Sequence, residues 1–125
     1  IQINSTAKML ALWEELPEFN HGAMMILDTL GATWPNVMAV SLRAPDEHPR
    51  VALRHTATAT LMLEAGMNID SARARGQSKL AQAFSLVAYG DWCAYYTAVI
   101  SGIDPAIYGT VPAMDRLKDF LAQAT

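Results

Sequence analysis

A short apolar run at residues 37–42 (VMAVSL) constrains the fold of this chain more than any other feature of the sequence. It stands between two proline-containing dipeptides, Pro35-Asn36 on one side and Ala44-Pro45 on the other. A run of this length with these brackets is typical of a strand buried on both faces, as in a parallel sheet. The sequence therefore predicts a doubly buried β-strand at this position.

A helix and a second strand are predicted after this run. The acidic pair Asp46-Glu47 lies where a helix N-terminus favours negative charge, and Pro49 is tolerated in the first helical turn. Gly66 marks the end of this helix. Residues 67–75 then alternate between two faces, which predicts an edge strand or a half-exposed strand.

Two further helices complete the order of elements. Ser78 is the predicted cap of the longest helix, which runs to about residue 101, before Gly102, and residues 112–124 form a terminal helix. Strand, helix, strand, helix in this order implies an α/β fold with a parallel sheet. Because two strands are few for such a sheet, we expect the domain to be incomplete, with part of the sheet outside this chain.

The segment before the first strand is predicted to be helical in two places. Residues 5–12 (STAKMLAL) contain helix formers behind a serine or threonine cap, and Pro17 interrupts whatever precedes it. A second helix begins at Asn20 and ends at Gly31. Its apolar positions are spaced for one buried face: Met24, Met25, Leu27 and Leu30.

The composition excludes several classes of protein. The chain has 125 residues, 52% of them hydrophobic, which is enough for the core of one domain. A formal net charge of -3 argues against a nucleic-acid partner, whose phosphates select clustered positive charge. The single cysteine, Cys93, excludes a disulfide framework and a multi-thiolate metal site, and we expect it to be buried. No apolar run approaches the roughly 20 residues of a membrane span, and no signal-peptide pattern is visible, so we expect a cytoplasmic protein without a membrane partner.

His21 is the first candidate for chemistry near neutral pH. It follows the polar break at residues 18–20 near a predicted helix start, where a ring can face a cleft. Glu14, Glu15 and Glu18 supply nearby carboxylates for acid–base work. A surface or capping histidine in a solvated turn is the alternative, and local sequence alone favours it.

The other two histidines flank the start of the predicted helix. His48 and His55 are seven residues apart without a third ligand at a standard spacing, so no metal site is expected. Arg50 and Arg54 share a helical face, from which they could bind a phosphate. More commonly, such arginines form ion pairs with nearby acidic residues, here Asp46 or Glu47, or have no partner. The glycines form neither G-x-G-x-x-G nor a phosphate loop, so nucleotide binding has no support.

Three ordered segments carry a family resemblance. Residues 16–21 (LPEFNH) resemble an L-P-E-L-N-H signature, and residues 78–92 resemble an S-x-L-A…S-L…G-D-W helix. Residues 102–105 (GIDP), followed by Leu117-Lys118, match a G-x-D-P ending and a lysine-bearing terminal helix. From about residue 2 to residue 121, the chain resembles the C-terminal sugar isomerase (SIS) domain of bifunctional phosphoglucose/phosphomannose isomerases.

The resemblance implies an SIS-type three-layer α/β fold, a parallel sheet flanked by helices. Residues 1–125 would be the C-terminal SIS domain or most of it, with the N-terminal SIS domain absent from the chain. The implied activity is reversible conversion of glucose 6-phosphate or mannose 6-phosphate to fructose 6-phosphate, without metal or organic cofactor. A homodimer is also implied, because the family's histidine usually reaches the site of the neighbouring subunit.

The resemblance also assigns roles to individual residues. His21 matches the histidine that opens the sugar ring, and Lys118 matches the lysine that assists at the ring oxygen. Near neutral pH an imidazole exchanges protons with a sugar oxygen, and an ammonium stabilises developing negative charge. Glu18 and Asn20, in the same signature as His21, are expected to bind the substrate.

The sequence departs from the family at the catalytic base. The family reads roughly N-E-N-A-K where residues 4–8 read NSTAK, so Ser5 occupies the position of the glutamate that moves the proton between C1 and C2. A serine hydroxyl is no general base near pH 7 unless another group takes its proton. Three alternatives stay open: a carboxylate at position 14, 15 or 18 substitutes, a water relay substitutes, or isomerase activity is reduced or absent.

Two functions of other classes compete with the isomerase. A non-catalytic sugar-phosphate-binding or regulatory SIS module is favoured by the serine at position 5. A purely structural dimerisation half would use the helix that carries Trp92, Tyr95 and Tyr96 as its interface.

Overall fold

The computed structural model describes residues 1–29, 36–106 and 112–123. The chain divides into two compact units, one of Ile1–Ala11 with Gly90–Thr125 and the other of Leu12–Tyr89. The regular elements alternate in the predicted order. They are β1 (Met38–Arg43), α1 (Pro49–Glu64), β2 (Asn68–Arg73), α2 (Lys79–Ile100) and α3 (Pro112–Ala122).

The strands β1 and β2 pair in parallel, from Met38 opposite Asn68 to Arg43 opposite Arg73. Helix α1 connects them, as a parallel pair requires, since a tight turn cannot return the chain to the same end of the sheet. The α/β fold with a parallel sheet is therefore confirmed.

The expectation that the first strand is buried on both faces is wrong. Met38, Val40 and Leu42 are exposed, whereas the alternate residues of β1 are half-buried. Those alternate residues face α1, because Ser41 contacts a side chain of that helix and Ala39 packs on the core beneath it. Within the described residues, β1 thus has one covered face and one open face.

The bounds of α1 differ slightly from the prediction. The helix begins at Pro49, with His48 as its cap: the Arg50 backbone N–H donates to His48 Nδ1 at 3.2 Å. The acidic pair lies just outside the helix, and Glu47 pairs with Arg43 instead. Gly66, with a φ of 80°, follows the helix in the left-handed conformation that glycine tolerates, as predicted.

Helix α2 follows the prediction closely. The Ala81 backbone N–H donates to Ser78 Oγ at 3.2 Å, which confirms the cap. Cys93 on this helix is half-buried rather than buried. Helix α3 begins at Pro112 as expected, and the predicted last residue, Ala124, is outside the described residues.

The N-terminal segment departs most from the prediction. A single π-helical turn at Ile3–Ala7 replaces the helix expected over residues 5–12. Lys8 ends this turn with a left-handed φ of 55°, and its ammonium bonds the Ser5 carbonyl, so the backbone cannot continue as a helix. Residues 8–15 then have no regular structure.

The second predicted helix is also shorter in regular structure than expected. Up to residue 29, its place is taken by two 3-10 turns, Glu18–Asn20 and Ala23–Ile26, and α-helical backbone is first seen at residues 27–29. Met25 is exposed, whereas Met24 and Leu27 pack on the core. Leu30 and Gly31 are outside the described residues.

The core of the Leu12–Tyr89 unit is small and lies between α1, β2 and the first 3-10 turn. Its buried side chains are Phe19, Met62 and Met67. Partly buried apolar residues pack against them: Leu16, Ala23, Met24, Leu27, Val37, Ala39 and Ile69. In the described part of the chain, no helix is both long enough and apolar enough to span a bilayer.

Candidate functional site

The segment that carries His21 is a compact turn, residues 18–21, called the His21 turn below. The Asn20 N–H donates to the Pro17 carbonyl at 3.0 Å, and the His21 N–H donates to the Glu18 carbonyl at 2.9 Å. Phe19 points into the core and is 8% exposed. Burying a phenylalanine contributes about 1.5–3 kcal/mol, so this side chain fixes the turn to the body of the unit.

The His21 side chain itself is exposed. Within residues 1–29, 36–106 and 112–123, its ring makes no hydrogen bond or ion pair. Glu18, at the other end of the turn, is exposed as well. The turn therefore exposes both an imidazole and a carboxylate side chain to solvent.

Asn20 is held by helix α1 through both ends of its amide. Its Nδ2 donates to Thr58 Oγ1 at 2.9 Å, and its Oδ1 accepts a hydrogen bond from Arg54 Nη1 at 3.2 Å. The same Nδ2 lies 3.3 Å from Met24 Sδ. We call these four residues the Asn20 network.

Thr58 was not among the residues singled out from the sequence. It is 5% exposed and is the buried polar side chain of the described residues. Arg54, which the sequence offered as a phosphate ligand or an ion-pair partner, binds an amide oxygen instead. One signal was available: positions 54 and 58 are four apart on a helix and so share a face, although their partner lies 38 residues from Thr58.

Ser5 lies in the π-helical turn of the other unit. Its hydroxyl donates to the Gln2 carbonyl at 3.3 Å, a bond within its own turn. Gln2 Nε2 in turn donates to Asp91 Oδ1 on α2 at 2.7 Å. Gly90 leaves room for this contact, since a Cβ at that position would lie 2.5 Å from Gln2 Oε1. The start of the chain is thereby fixed to the G-D-W segment of the helix.

Lys118 lies on α3, in the same unit as Ser5. Its ammonium is 3.2 Å from Asp115 Oδ1, one helical turn earlier, and its side chain is 72% exposed. A shallow depression of about 300 Å³ runs along this helix and is lined by Ala113, Arg116, Leu117 and Phe120. Because a single helix forms it and Lys118 does not line it, the depression defines no substrate site.

The predicted site residues thus fall into two groups. Glu18, Asn20 and His21 share one turn of the Leu12–Tyr89 unit, whereas Ser5 and Lys118 belong to the other unit. Their roles stay predictions. No group of three or more potential metal ligands occurs among the residues that the structure describes.

Comparison with known proteins decides the family. The sequence profile of the bacterial phospho-glucose isomerase C-terminal SIS domain matches residues 1–121. The chain belongs to this SIS-domain family. The resemblance of the three sequence segments is therefore confirmed.

Curated relatives agree with this assignment. The bifunctional phosphoglucose/phosphomannose isomerase of Thermoplasma acidophilum is 33% identical over 118 residues, which cover 94% of this chain and 35% of the relative. Its counterpart in Aquifex aeolicus is 29% identical over 120 residues, 96% of this chain and 36% of the relative. The chain therefore spans about a third of the length of the curated relatives it matches. No solved structure matches it.

The SIS domain holds a second histidine cluster, formed by Ser41, Arg43, Glu47 and His55 and called the His55 cluster below. His55 Nδ1 is 2.7 Å from Ser41 Oγ, and His55 Nε2 is 3.7 Å from Glu47 Oε2. Arg43 Nε donates to Glu47 Oε1 at 2.9 Å. The cluster joins β1 to the start of α1.

The protonation of His55 is set by its surroundings. Burial lowers the pKa of His55 below its ordinary value, because desolvation penalises the imidazolium. The Glu47 carboxylate raises this pKa and the Arg43 guanidinium lowers it, and the net shift is downward. His55 is therefore a neutral, engaged side chain that holds the fold together rather than a group presented to a ligand.

Proposed function

We propose that the gene product containing this chain interconverts glucose 6-phosphate or mannose 6-phosphate with fructose 6-phosphate. The observation that carries the proposal is the exposed, unengaged ring of His21 on a turn fixed by Phe19 and Asn20, within the L-P-E-F-N-H segment of an SIS domain. The named activity of the relatives, bifunctional phosphoglucose/phosphomannose isomerase, supplies the substrate class. No metal or organic cofactor is required by this reaction.

The chemistry assigned to these residues is proton transfer. His21 takes the hydroxyl proton at C1 and supplies a proton to the ring oxygen, which opens the sugar ring. A base then removes the proton from C2 to give an enediolate and returns it to C1 while the O2 hydroxyl proton passes to O1, and the Lys118 ammonium stabilises the negative charge that develops. Glu18 and Asn20 bind the substrate beside the imidazole.

The catalytic base in this proposal is a group other than the Ser5 hydroxyl. The Ser5 hydroxyl bonds its own turn and has no carboxylate or imidazole to take its proton among the described residues. A carboxylate at position 14, 15 or 18 or a water relay takes over this step in the proposal. Turnover is accordingly expected to be slow.

The proposal includes a larger assembly. Residues 1–125 act as the C-terminal SIS domain beside an N-terminal SIS domain that binds the phosphate, in a cytoplasmic homodimer. The dimer is supported by three aromatic rings on α2 that contact each other, one pair stacked and two pairs edge-to-face, and stay exposed: Trp92, Tyr95 and Tyr96, with ring centroids 5.5–6.0 Å apart. Exposed aromatic clusters of this kind mark interfaces.

The test is a coupled assay of the full-length gene product with fructose 6-phosphate. We expect slow turnover that Ser5→Glu raises by at least about tenfold, because a positioned base contributes about 10²–10⁴ in rate. The control is Ser5→Gln, which has a similar shape but no basic carboxylate and should leave the rate unchanged. No turnover from either the wild-type protein or Ser5→Glu, at any enzyme concentration, removes the catalytic proposal and leaves the family assignment intact.

The serine at position 5 also favours a second candidate, a non-catalytic SIS module that binds sugar phosphates. A protein that lost its base while keeping its histidine and lysine would bind the same ligands without converting them. Calorimetry with fructose 6-phosphate separates the two. Saturable binding together with no isomerisation would establish the binding module.

A further inference from the structure

Two side chains of the His21 turn hold it against the core and helix α1, in addition to local bonds such as the one from the Phe19 N–H to the Glu15 carbonyl at 2.7 Å. Phe19 is buried against Met62 and Met67, and the Asn20 amide is bonded to Thr58 and Arg54 of α1. An apolar contact keeps a side chain buried in the core, but it is non-directional and does not fix the orientation of the turn. The two hydrogen bonds, in contrast, fix the rotation of the turn and therefore the direction in which the next residue, His21, points.

The burial of Thr58 makes it suited to fixing the orientation of the His21 turn. At 5% exposure, its hydroxyl exchanges little with water, so the bond to Asn20 Nδ2 has no equivalent solvent competitor. Loss of the hydroxyl would leave Asn20 Nδ2 with only the weak thioether contact to Met24 Sδ, at 3.3 Å. Arg54 restrains the opposite end of the same amide from the solvent side.

We infer that Thr58, assisted by Arg54, is a positioning residue of the isomerase: it orients Asn20 and through it the catalytic His21. The inference rests on the proposed function, since only a reaction at His21 makes its direction matter. Its physical basis is the steep dependence of proton transfer on geometry, where a misplacement of about 1 Å costs about 10²-fold in rate.

Helix α1 offers matched controls on the same surface. Thr56 and Thr60 are exposed, and their hydroxyls donate to carbonyls of their own helix, Ala52 and Thr56, at 3.1 Å each. Thr56→Val therefore makes the same chemical change as Thr58→Val without touching Asn20. Thr58→Ser keeps the hydroxyl and removes only a methyl group.

The experiment measures two independent properties of the full-length protein. Steady-state kinetics with fructose 6-phosphate report catalysis, and amide hydrogen exchange of residues 18–21 reports whether the turn is held. We expect Thr58→Val to lower kcat per folded molecule about 10- to 100-fold with KM changed less than about twofold, and to accelerate exchange at residues 18–21. Thr58→Ser should restore both properties, and Thr56→Val should change neither.

The outcomes separate this inference from the proposed function. If neither the wild-type protein nor Ser5→Glu shows turnover, the isomerase proposal fails, and the exchange data still decide whether Thr58 holds the His21 turn. The inference would be overturned if Thr58→Val had the same kcat and the same exchange rate at residues 18–21 as Thr56→Val. It would also be overturned if Thr58→Val lost kcat with unchanged exchange, because the loss would then not arise from movement of the His21 turn.

A second variant covers the case in which Thr58→Val does not fold. Arg54 is exposed, so Arg54→Gln removes one hydrogen bond to Asn20 without disturbing the core. We expect a smaller fall in kcat, about 3- to 10-fold, with faster exchange in the turn. Arg50→Gln on the same helix face is the control, and equal effects of the two arginine variants would contradict the assignment.

Discussion

Two histidines of the Leu12–Tyr89 unit have opposite surroundings. His21 is exposed and its ring makes no hydrogen bond or ion pair among the described residues, whereas the His55 side chain is 15% exposed and has a neighbour at each ring nitrogen. Residue type alone assigns both to chemistry near neutral pH. The contacts show that one ring is exposed to solvent and that the other joins β1 to α1.

The hydrogen bonding of His55 explains why it is unsuited to proton transfer with a ligand. One ring nitrogen, Nδ1, is hydrogen-bonded with the Ser41 hydroxyl, and the other, Nε2, faces the Glu47 carboxylate. Each nitrogen thus already has a partner within the protein. A substrate would have to displace Ser41 or Glu47 to reach it.

The largest effect that tests this comparison is the loss of His21. We expect His21→Gln to lower kcat by about 10²–10⁴, the usual contribution of a positioned acid or base, with an unchanged unfolding midpoint, because the exposed side chain makes no hydrogen bond or ion pair with the described residues. Kinetics with fructose 6-phosphate and urea unfolding of the same full-length protein measure the two quantities. A destabilised protein with normal kcat would reverse the roles given to the two histidines.

The second effect concerns the stability of the fold. His55→Leu is expected to lower the free energy of unfolding by about 1–3 kcal/mol, because it leaves the half-buried Ser41 hydroxyl without its partner and removes the imidazole that faces Glu47 Oε2. The kcat of the molecules that remain folded should stay within a few-fold of the wild type. Urea unfolding at pH 8 is the measurement, with His21→Gln as the control, and equal midpoints of the two variants would contradict the structural role of His55.

The contrast also shows which features the sequence predicts and which need the fold. The order of strands and helices follows from local patterns, such as the cap at Ser78 and the glycine at position 66, and it was predicted correctly. The open face of β1 was not predicted. Burial depends on which elements cover the sheet, and an apolar run does not contain that information. The prediction of a helix over residues 5–12 was wrong for a local reason: the backbone is left-handed at Lys8, a conformation that no residue preference indicates.

The candidate site also contains residues that the sequence predicts and residues that only the structure reveals. His21 was found because its segment resembles a family signature, which reports a role without any contact. Thr58 was missed because its significance is a bond to Asn20 across 38 residues, and only the packing of the His21 turn on α1 creates it. A segment that matches a family signature can be named from the sequence, whereas a hydrogen bond between side chains 38 residues apart is visible only in the fold.

The smallest effect is the pH dependence that His55 confers on stability. Because burial lowers the pKa of His55 in the folded protein below its ordinary value of 6.5, the unfolded chain binds more protons than the folded one between those two values. The stabilising contribution of the neutral ring is therefore complete above pH 6.5 and is lost as the pH falls through the lowered value. Glu47→Gln should enlarge the loss, because removing the carboxylate removes the influence that raises this pKa.

Urea midpoints of the full-length protein between pH 8 and pH 5 measure this effect as the difference between wild type and His55→Leu. That difference should shrink as the pH falls, since the variant lacks the titrating ring. His21→Gln, in which the His55 cluster is intact, should follow the wild-type curve. A difference between wild type and His55→Leu that is constant over this range would show that His55 is equally hydrated in the folded and unfolded chain, and the distinction between the two histidines would then rest on hydrogen bonds alone.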